Sequence, residues 1–529
     1  MNASAPPSQS SIVPVWSGAG AGVYLLPMAL MLALWLPGCN DGWFRTDSHY
    51  YAAVGLNAWR SGDLLNLRLG DVPYHNKPPL ALLVHGWFLH VLGVHVWVGR
   101  LPSLLAGLGA VWGVVGAVGQ LGGRRLALAA GVVLATTVEF TRYTRTISLD
   151  LWVAMFLSFA LLISTGAWRA DRPWRLPWVG LMIGLGLLVK PFVALLALPL
   201  LGVWFALVGW PWRRWVWPLA LGVLTALCVA VPWHVAMLQR FGNTFWETFV
   251  VKQSLNRLVQ DSPKPLWYYF QIMAESYWPW LLALLGAALA FGQGRHREDG
   301  TLQGAGVRSA LMLAGVWCAV WMLAITLTGD KHGRYAVPVY LLLCVLAGWW
   351  LTLVVPGPLD RLASGSPRWL PAGVLGVGVV LAGVLGIAGV RVHRERDPAW
   401  DQLLVAIDQS PQAKVWTTSQ VNSMAANLVL LGRTWPHLVG DGATAGDFVL
   451  FSRSENTSVV PGQVVVSGQD FVALRLAQPW PPQGGGPGAG RCRSPALSCR
   501  SRSGVCGLLC LGGSFRHLYQ EASARRARG

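Results

Sequence analysis

FRTDSHYYAAVGLNAWRSGDLLNLRLGDVPYHNKPPL, residues 44–80, gathers acids, bases, aromatic rings and amides in a chain built mostly from apolar runs. Membrane-length runs stand before and after it. Polar side chains at that density need water or enclosing protein to solvate them, so the stretch marks a place where chemistry is possible beside the hydrocarbon. We read residues 40–96 around it as an active-site loop on one face of a membrane protein.

Composition supports that reading. The 529 residues are 54% hydrophobic and 12% charged, with a mean hydropathy of +0.46. A soluble globule carries about a quarter charged residues, so that class is excluded. The formal net charge is +18. Its basic residues sit in short loops between apolar runs, which suits anionic headgroups and membrane topology and argues against nucleic acid as a partner.

Cysteine usage adds little. Cys228, Cys318 and Cys344 lie in apolar runs and read as small core hydrophobes. Cys492, Cys499, Cys506 and Cys510 follow no zinc-ligand spacing.

Taken in order, residues 1–19 read as a flexible cytoplasmic start, rich in Ser, Pro and Ala. Apolar runs follow near 20–38, 97–119, 126–140, 149–167, 177–189, 192–210, 215–236, 277–292, 309–327, 336–355 and 370–390. A span needs about 20 apolar residues, so the expected fold is an all-α polytopic membrane domain over 20–391 with about eleven helices. Arg124 and Arg125; Arg169, Arg172 and Arg175; Arg213 and Arg214; Arg295, Arg297 and Arg308; and Arg361 and Arg368 fall in alternate loops. Those loops are cytoplasmic by the positive-inside rule, which puts Asp47, Lys77, Arg142, Arg145, Asp150, Lys190, Lys331, His332 and Arg334 together on the outer face.

Residues 237–276, with Trp246, Trp267, Tyr268 and Tyr269, read as short interfacial helices on that same outer face. Beyond 392, VWTTSQ, DFVLFS, QVVVSG and FVALRLA read as strands around a helix at 419–431, a small α/β domain (392–478) outside the membrane. Residues 479–529, rich in Pro, Gly, Ser and Arg, read as a disordered tail.

The outer residues have the chemistry of a charged-leaving-group site. Asp47 precedes a helical pattern, where it can cap the helix and still act as a base or orient an acceptor. Lys77 precedes two prolines that hold it on a fixed turn, and its point charge suits a phosphate. Tyr74, His75 and Asn76 supply neutral hydrogen bonds beside it. Lys190 follows a run, 177–189, about 20 Å long against about 30 Å of hydrocarbon, so its ammonium calls for a wet cavity or an anionic partner. Asp150 opens a span, where it can cap, pair with Arg145 or serve as a second acid. Lys331, His332 and Arg334 in GDKHGRYAVP put positive charge at an outer boundary, as a phosphate site would.

The order Asp47…YYAAVGLNAWRSGD…Pro73-Tyr74…Lys77-Pro78-Pro79-Leu80, then GRLPSLLAG, Arg145…Asp150, Val189-Lys190-Pro191 and Lys331…Arg334-Tyr335…Pro338 resembles the GT-C glycosyltransferases related to protein O-mannosyltransferases and bacterial aminoarabinose (lipid A) transferases. The resemblance covers roughly residues 20–355. It implies transfer of a sugar, with inversion, from a polyprenyl-phosphate donor to a glycolipid, polysaccharide or protein acceptor at the outer face of a bacterial inner membrane. In such enzymes the acidic residue matching Asp47 sits at the acceptor, and the lysine and arginine matching Lys77 and Arg334 hold the lipid phosphate. Beside these, the residues themselves make Asp150 a second catalytic candidate, Lys190, Lys331 and His332 donor-phosphate candidates, and Tyr50, Tyr74, His75, Asn76, Arg145 and Tyr335 substrate-contact candidates. Family members commonly have Asp-Glu where this chain has Asp47-Ser48, and Lys-Gly where it has Lys190-Pro191. The missing Glu weakens a metal held by paired carboxylates, so no cofactor is expected, with Mg or Mn as the alternative. A polytopic lipid or sugar transporter is the competing class, but its duplicated halves are not apparent in the sequence.

Overall fold

The computed structural model describes residues 21–40, 47–69, 72–256, 264–294, 302–356, 398–417 and 437–480, apart from a few short gaps in those ranges, together with Leu359, Ala426 and Leu430. The apolar runs up to residue 355 fall on helices, as they must where a backbone in hydrocarbon has to satisfy its own N–H and C=O groups. In chain order these are α1 (Ala21–Trp35), α2 (Asp47–Ser61), α3 (Leu80–Leu92), α4 (Val96–Ala135), α5 (Val138–Thr144), α6 (Leu149–Arg169), α7 (Leu176–Leu187), α8 (Pro191–Leu195), α9 (Ala197–Leu207) and α10 (Trp212–Phe245). After these come α11 (Tyr268–Ser276), α12 (Trp280–Gly292), α13 (Leu302–Leu327) and α14 (Val337–Val354). The apolar run 370–390 and the tail 479–529 lie outside the described residues, save Pro479 and Trp480.

Among the described residues five helices are long and apolar enough to cross a membrane, or six if the bent α11–α12 pair is one span, by length and composition. α1 and α7 are short, the run 192–210 is split into α8 and α9, and α4 is two helices joined by a fold at Gly123 (φ 81°, ψ 177°), so the runs 97–119 and 126–140 stay distinct. A Cβ on Gly131 would stand 2.6 Å from the Val115 side chain, so the two legs of α4 lie against each other. Within residues 237–276, α10 runs on to Phe245, a π-helical stretch, Trp246–Leu255, continues it past Gly242 (φ 51°), and α11 follows as a separate short helix.

The loop of residues 44–80 is held by a close helix crossing. A Cβ on Gly55 of α2 would stand 2.1 Å from the Leu82 carbonyl oxygen of α3, and one on Gly86 would stand 2.1 Å from the Gly55 carbonyl carbon. Only glycine at both positions lets the two backbones touch, the way small residues bring membrane helices together. The first residue of α2 is Asp47, so this crossing fixes where its carboxylate starts from. A two-stranded ribbon, β1 (Arg68–Leu69) with β2 (Val72–Pro73), returns the chain toward Lys77.

The C-terminal part forms a five-stranded mixed sheet in the order β4-β3-β5-β7-β6, from β3 (Val415–Thr417), β4 (His437–Leu438), β5 (Phe448–Ser452), β6 (Gly462–Ser467) and β7 (Phe471–Leu476). β3 runs parallel to β4 and β5, whereas β7 runs antiparallel to β5 and β6. A helix not read from the sequence, α15 (Ala399–Asp408), covers it with Trp400 and Leu403 against Phe448, Phe471 and Ala473. The expected helix at 419–431 lies outside the described residues, save Ala426 and Leu430.

Replacing Gly86 by Leu should force α2 off α3. Overpacking costs about 1–3 kcal/mol, so thermal unfolding of the variant in detergent should start at a lower temperature than that of the parent chain.

Candidate active site

Two acid–base pairs stand at helix starts and at the break between α7 and α8. Asp47 opens α2, where its charge also complements the helix dipole. Arg334 belongs to a tight turn, Gly333–Ala336, that leads into α14, and its guanidinium donates to the Asp47 carboxylate across 287 residues of chain. The Tyr51 hydroxyl, one helical turn on, donates to the same carboxylate oxygen at 3.3 Å. The pair is partly open to its surroundings, with 42% of the Asp47 side chain and 25% of the Arg334 side chain exposed. Burial raises the Asp47 pKa, but Arg334, by charge and hydrogen bond, with help from Lys77 and Lys190, outweighs that effect and holds the carboxyl below the usual carboxylate range.

The second pair is buried. Lys190 Nζ donates to Asp150 Oδ1 at 2.6 Å, with side-chain exposures of 11% and 4%. Asp150 stands in the first turn of α6, whose first N–H groups are met by Ser148: its Oγ accepts from Leu151 N at 3.4 Å. Lys190 occupies the break between α7 and α8, where Pro191 cannot supply an N–H and a new helix begins. The Tyr335 ring lies under both cations, 5.4 Å from Lys190 Nζ and 5.9 Å from the Arg334 guanidinium carbon.

A cavity of about 310 Å³ joins these groups. Its polar lining residues include Asn76, Lys77, Asp150, Lys190, Arg334 and Tyr335, and its apolar ones Phe192, Val193, Leu196, Phe249, Trp321 and Ile325. Lys77 Nζ donates to Gln253 Oε1 at 3.3 Å, so the π-helical stretch after α10 forms part of the enclosure. Asp47 is not a lining residue and meets the cavity through Arg334.

The remaining residues singled out from the sequence stand elsewhere. Arg145 reaches back to the Leu34 carbonyl and lies against Gly38, tying α5 to α1; it is Lys190, not Arg145, that pairs with Asp150. His75 is packed between Phe241 and Phe245, and burial lowers its pKa, which keeps the imidazole neutral. His332 pairs with Asp330 at 2.9 Å and meets the Tyr335 ring edge-on, while Lys331 is buried and its carbonyl accepts from Lys264 Nζ. Tyr50 and Tyr74 are half-buried and do not line the cavity. Gln253, Asp330 and Trp321 line it and were not anticipated. Asp330 was available to inspection inside GDKHGRYAVP; nothing in the sequence distinguishes Gln253 from any polar residue of an amphipathic helix.

Ser48 follows Asp47 in the first turn of α2. Its hydroxyl accepts from Ile147 N at 3.3 Å. Among the described residues no three His, Cys, Asp or Glu side chains come together as metal ligands.

Comparison with known proteins bears out the resemblance read from the sequence. The model of the dolichyl-phosphate-mannose-protein mannosyltransferase family matches residues 76–235. An undecaprenyl phosphate-alpha-4-amino-4-deoxy-L-arabinose arabinosyl transferase of Pectobacterium carotovorum is 26% identical over 67% of this chain and 65% of its own length. Its counterpart in Enterobacter sp. is 25% identical over 74% of this chain and 68% of its own. The chain thus spans about two thirds of the length of these relatives. Among solved structures, ArnT from Cupriavidus metallidurans bound to undecaprenyl phosphate superposes with a TM-score of 0.68 at 18% identity, over 86% of this chain and 98% of that one. An Archaeoglobus fulgidus oligosaccharyltransferase superposes with a TM-score of 0.51 at 11% identity, over 83% and 69%.

A carboxyl with a depressed folded-state pKa stabilises the fold above its unfolded pKa, and that stabilisation disappears as the pH falls through the folded value. Asp47→Asn should therefore melt below the parent chain at neutral pH, and the gap should close on acidification through and below the ordinary carboxylate range. Melting curves across pH check this.

Proposed function

We propose that this chain, which has the fold of the GT-C membrane glycosyltransferases, moves a sugar from a polyprenyl-phosphate donor to an acceptor outside the cytoplasm, with inversion at the anomeric carbon. The observation that carries the reading is the meeting of Lys77, Lys190 and Arg334 at one cavity that is also lined by apolar side chains. A prenyl phosphate presents the matching pair of features: an anion at the head and hydrocarbon behind it.

When the glycosidic bond breaks, negative charge builds on the departing phosphate oxygen. Fixed cations in a site that excludes water stabilise that charge far better than solvent does. Lys190 is held in place by Asp150 and needs no rearrangement to serve. Arg334 is held by Asp47, and an incoming phosphate competes for the same guanidinium. Binding of donor then frees the Asp47 carboxylate. If the acceptor is a hydroxyl, Asp47 takes its proton; if it is already ionised, Asp47 orients it. Asp150 acts through Lys190.

In this reading the full complement of about eleven spans places the charged loops and the C-terminal sheet on the periplasmic side of a bacterial inner membrane. The acceptor is a glycolipid such as lipid A, an envelope polysaccharide or a protein. The three basic side chains do the neutralising work, so no Mg or Mn is required, and transfer persists in EDTA. Ser48 in place of a second acid supports that assignment.

A detergent assay with a radiolabelled polyprenyl-phosphate sugar and envelope acceptors tests the reading. Product should form with the parent chain and be lost in Asp47→Asn while the protein stays folded. Lys77→Ala should weaken donor binding by about 10-fold or more, as loss of a charge-assisted phosphate contact does. Movement of intact donor across liposomes without product would instead identify a transporter.

A further inference from the structure

The first turn of α6 carries Asp150 between Ser148 and Trp152, and both neighbours are tied to one side chain of α3. His85 is fully buried. Its Nδ1 lies 2.7 Å from the Gly99 carbonyl oxygen of α4, and its Nε2 lies 3.1 Å from Trp152 Nε1 and 3.4 Å from Ser103 Oγ. Ser103 Oγ in turn accepts from Ser148 N at 2.9 Å.

These contacts assign the tautomer. An indole N–H only donates, so Nε2 is the bare acceptor and the proton sits on Nδ1, where it donates to Gly99. The imidazole is thus neutral and fully used: one donor bond into α4, one accepted bond from α6. A protonated Nε2 would point a donor at the Trp152 donor, which the geometry forbids.

We propose that His85 is a positioning residue for sugar transfer: through Trp152 directly, and through Ser103 and Ser148, it fixes the first turn of α6 and with it the place of the Asp150–Lys190 pair in the cavity. The inference rests on the glycosyltransferase reading above. It follows from connectivity and not from packing alone. A leucine fills nearly the same volume but offers Trp152 no acceptor, which leaves a part-buried indole N–H without its partner and Ser103 without its contact to the ring. The turn is then free to shift, and the ammonium of Lys190 shifts with the carboxylate that holds it.

The test compares His85→Leu with His85→Gln, whose side-chain oxygen offers an acceptor at comparable reach. In the transfer assay, H85L should show kcat lowered by about 10- to 100-fold, the effect of a displacement of roughly 1 Å at the reacting centre, with KM for the donor changed by no more than about twofold. H85Q should recover most of the loss. In parallel, hydrogen exchange followed by mass spectrometry should show the backbone amides of residues 146–153 exchanging faster in H85L and returning toward the parent rate in H85Q. Wild-type kcat in H85L overturns the proposal. So does a loss of kcat that H85Q does not repair while exchange over 146–153 stays unchanged, because that pattern belongs to packing. If H85L does not fold, His85→Asn replaces it, since its amide reaches Gly99 and falls short of Trp152. A parent chain that transfers no sugar overturns the functional reading, and the exchange comparison still decides whether His85 holds the turn.

Discussion

A buried ammonium needs an anion beside it, and the Asp150–Lys190 pair at 2.6 Å is the contact on which this end of the helical bundle depends. Even lenient insertion scales set the cost of a lone charge at the middle of a span at about 2.5–3.5 kcal/mol. Lys190 meets that cost by ending α7 early and starting α8 at Pro191, so that its side chain leaves the helix axis toward α6. The pair in turn constrains everything attached to it. Stripping one partner from a buried pair typically costs about 3–5 kcal/mol, so α6 and α7 are not free to slide past each other at this level.

The second pair obeys different physics. Asp47 and Arg334 are partly exposed, and an ion pair in that setting contributes little to stability. Its value lies in being replaceable. A phosphate group offers Arg334 a bidentate partner at least as good as a carboxylate, so donor entry exchanges one anion for another without leaving the guanidinium unpaired. One pair therefore fixes geometry and the other responds to substrate, although both join an acid to a base across a comparable gap. Burial makes the difference.

The sequence discloses charged groups in such a protein well, and their partnerships poorly. Asp47, Lys77, Asp150, Lys190 and Arg334 stand out because a chain with 12% charged residues places each of them at the edge of an apolar run. Topology then puts them on one face. That Asp150 would choose Lys190 over the nearby Arg145 is invisible from spacing, because it depends on where α5 turns Arg145 back toward α1. His85 is hidden for another reason: inside LALLVHGWFLH it reads as one polar residue on an apolar helix, and only the approach of Gly99 and Trp152 shows that both ring nitrogens are engaged. Gly123 lets the chain turn back between the apolar runs 97–119 and 126–140, because a positive φ costs glycine little.

Ser48 joins the start of α2 to the start of α6 without adding charge. A carboxylate there would face the backbone N–H of Ile147 and the Asp47 carboxylate next to it. A hydroxyl takes the same N–H without adding charge, at 3.3 Å and with the residue buried. That bond ties the first turn of α2 to the segment between α5 and α6, one residue before the Ser148 cap that Ser103 holds. The helix that presents Asp47 and the helix that presents Asp150 are thus anchored at adjacent backbone positions, Ile147 and Ser148. Any shift of the α6 start moves both acids together. Relative placement of acceptor and donor groups is therefore set by one short stretch of backbone, and the long loops between the two sites in sequence have no say in it.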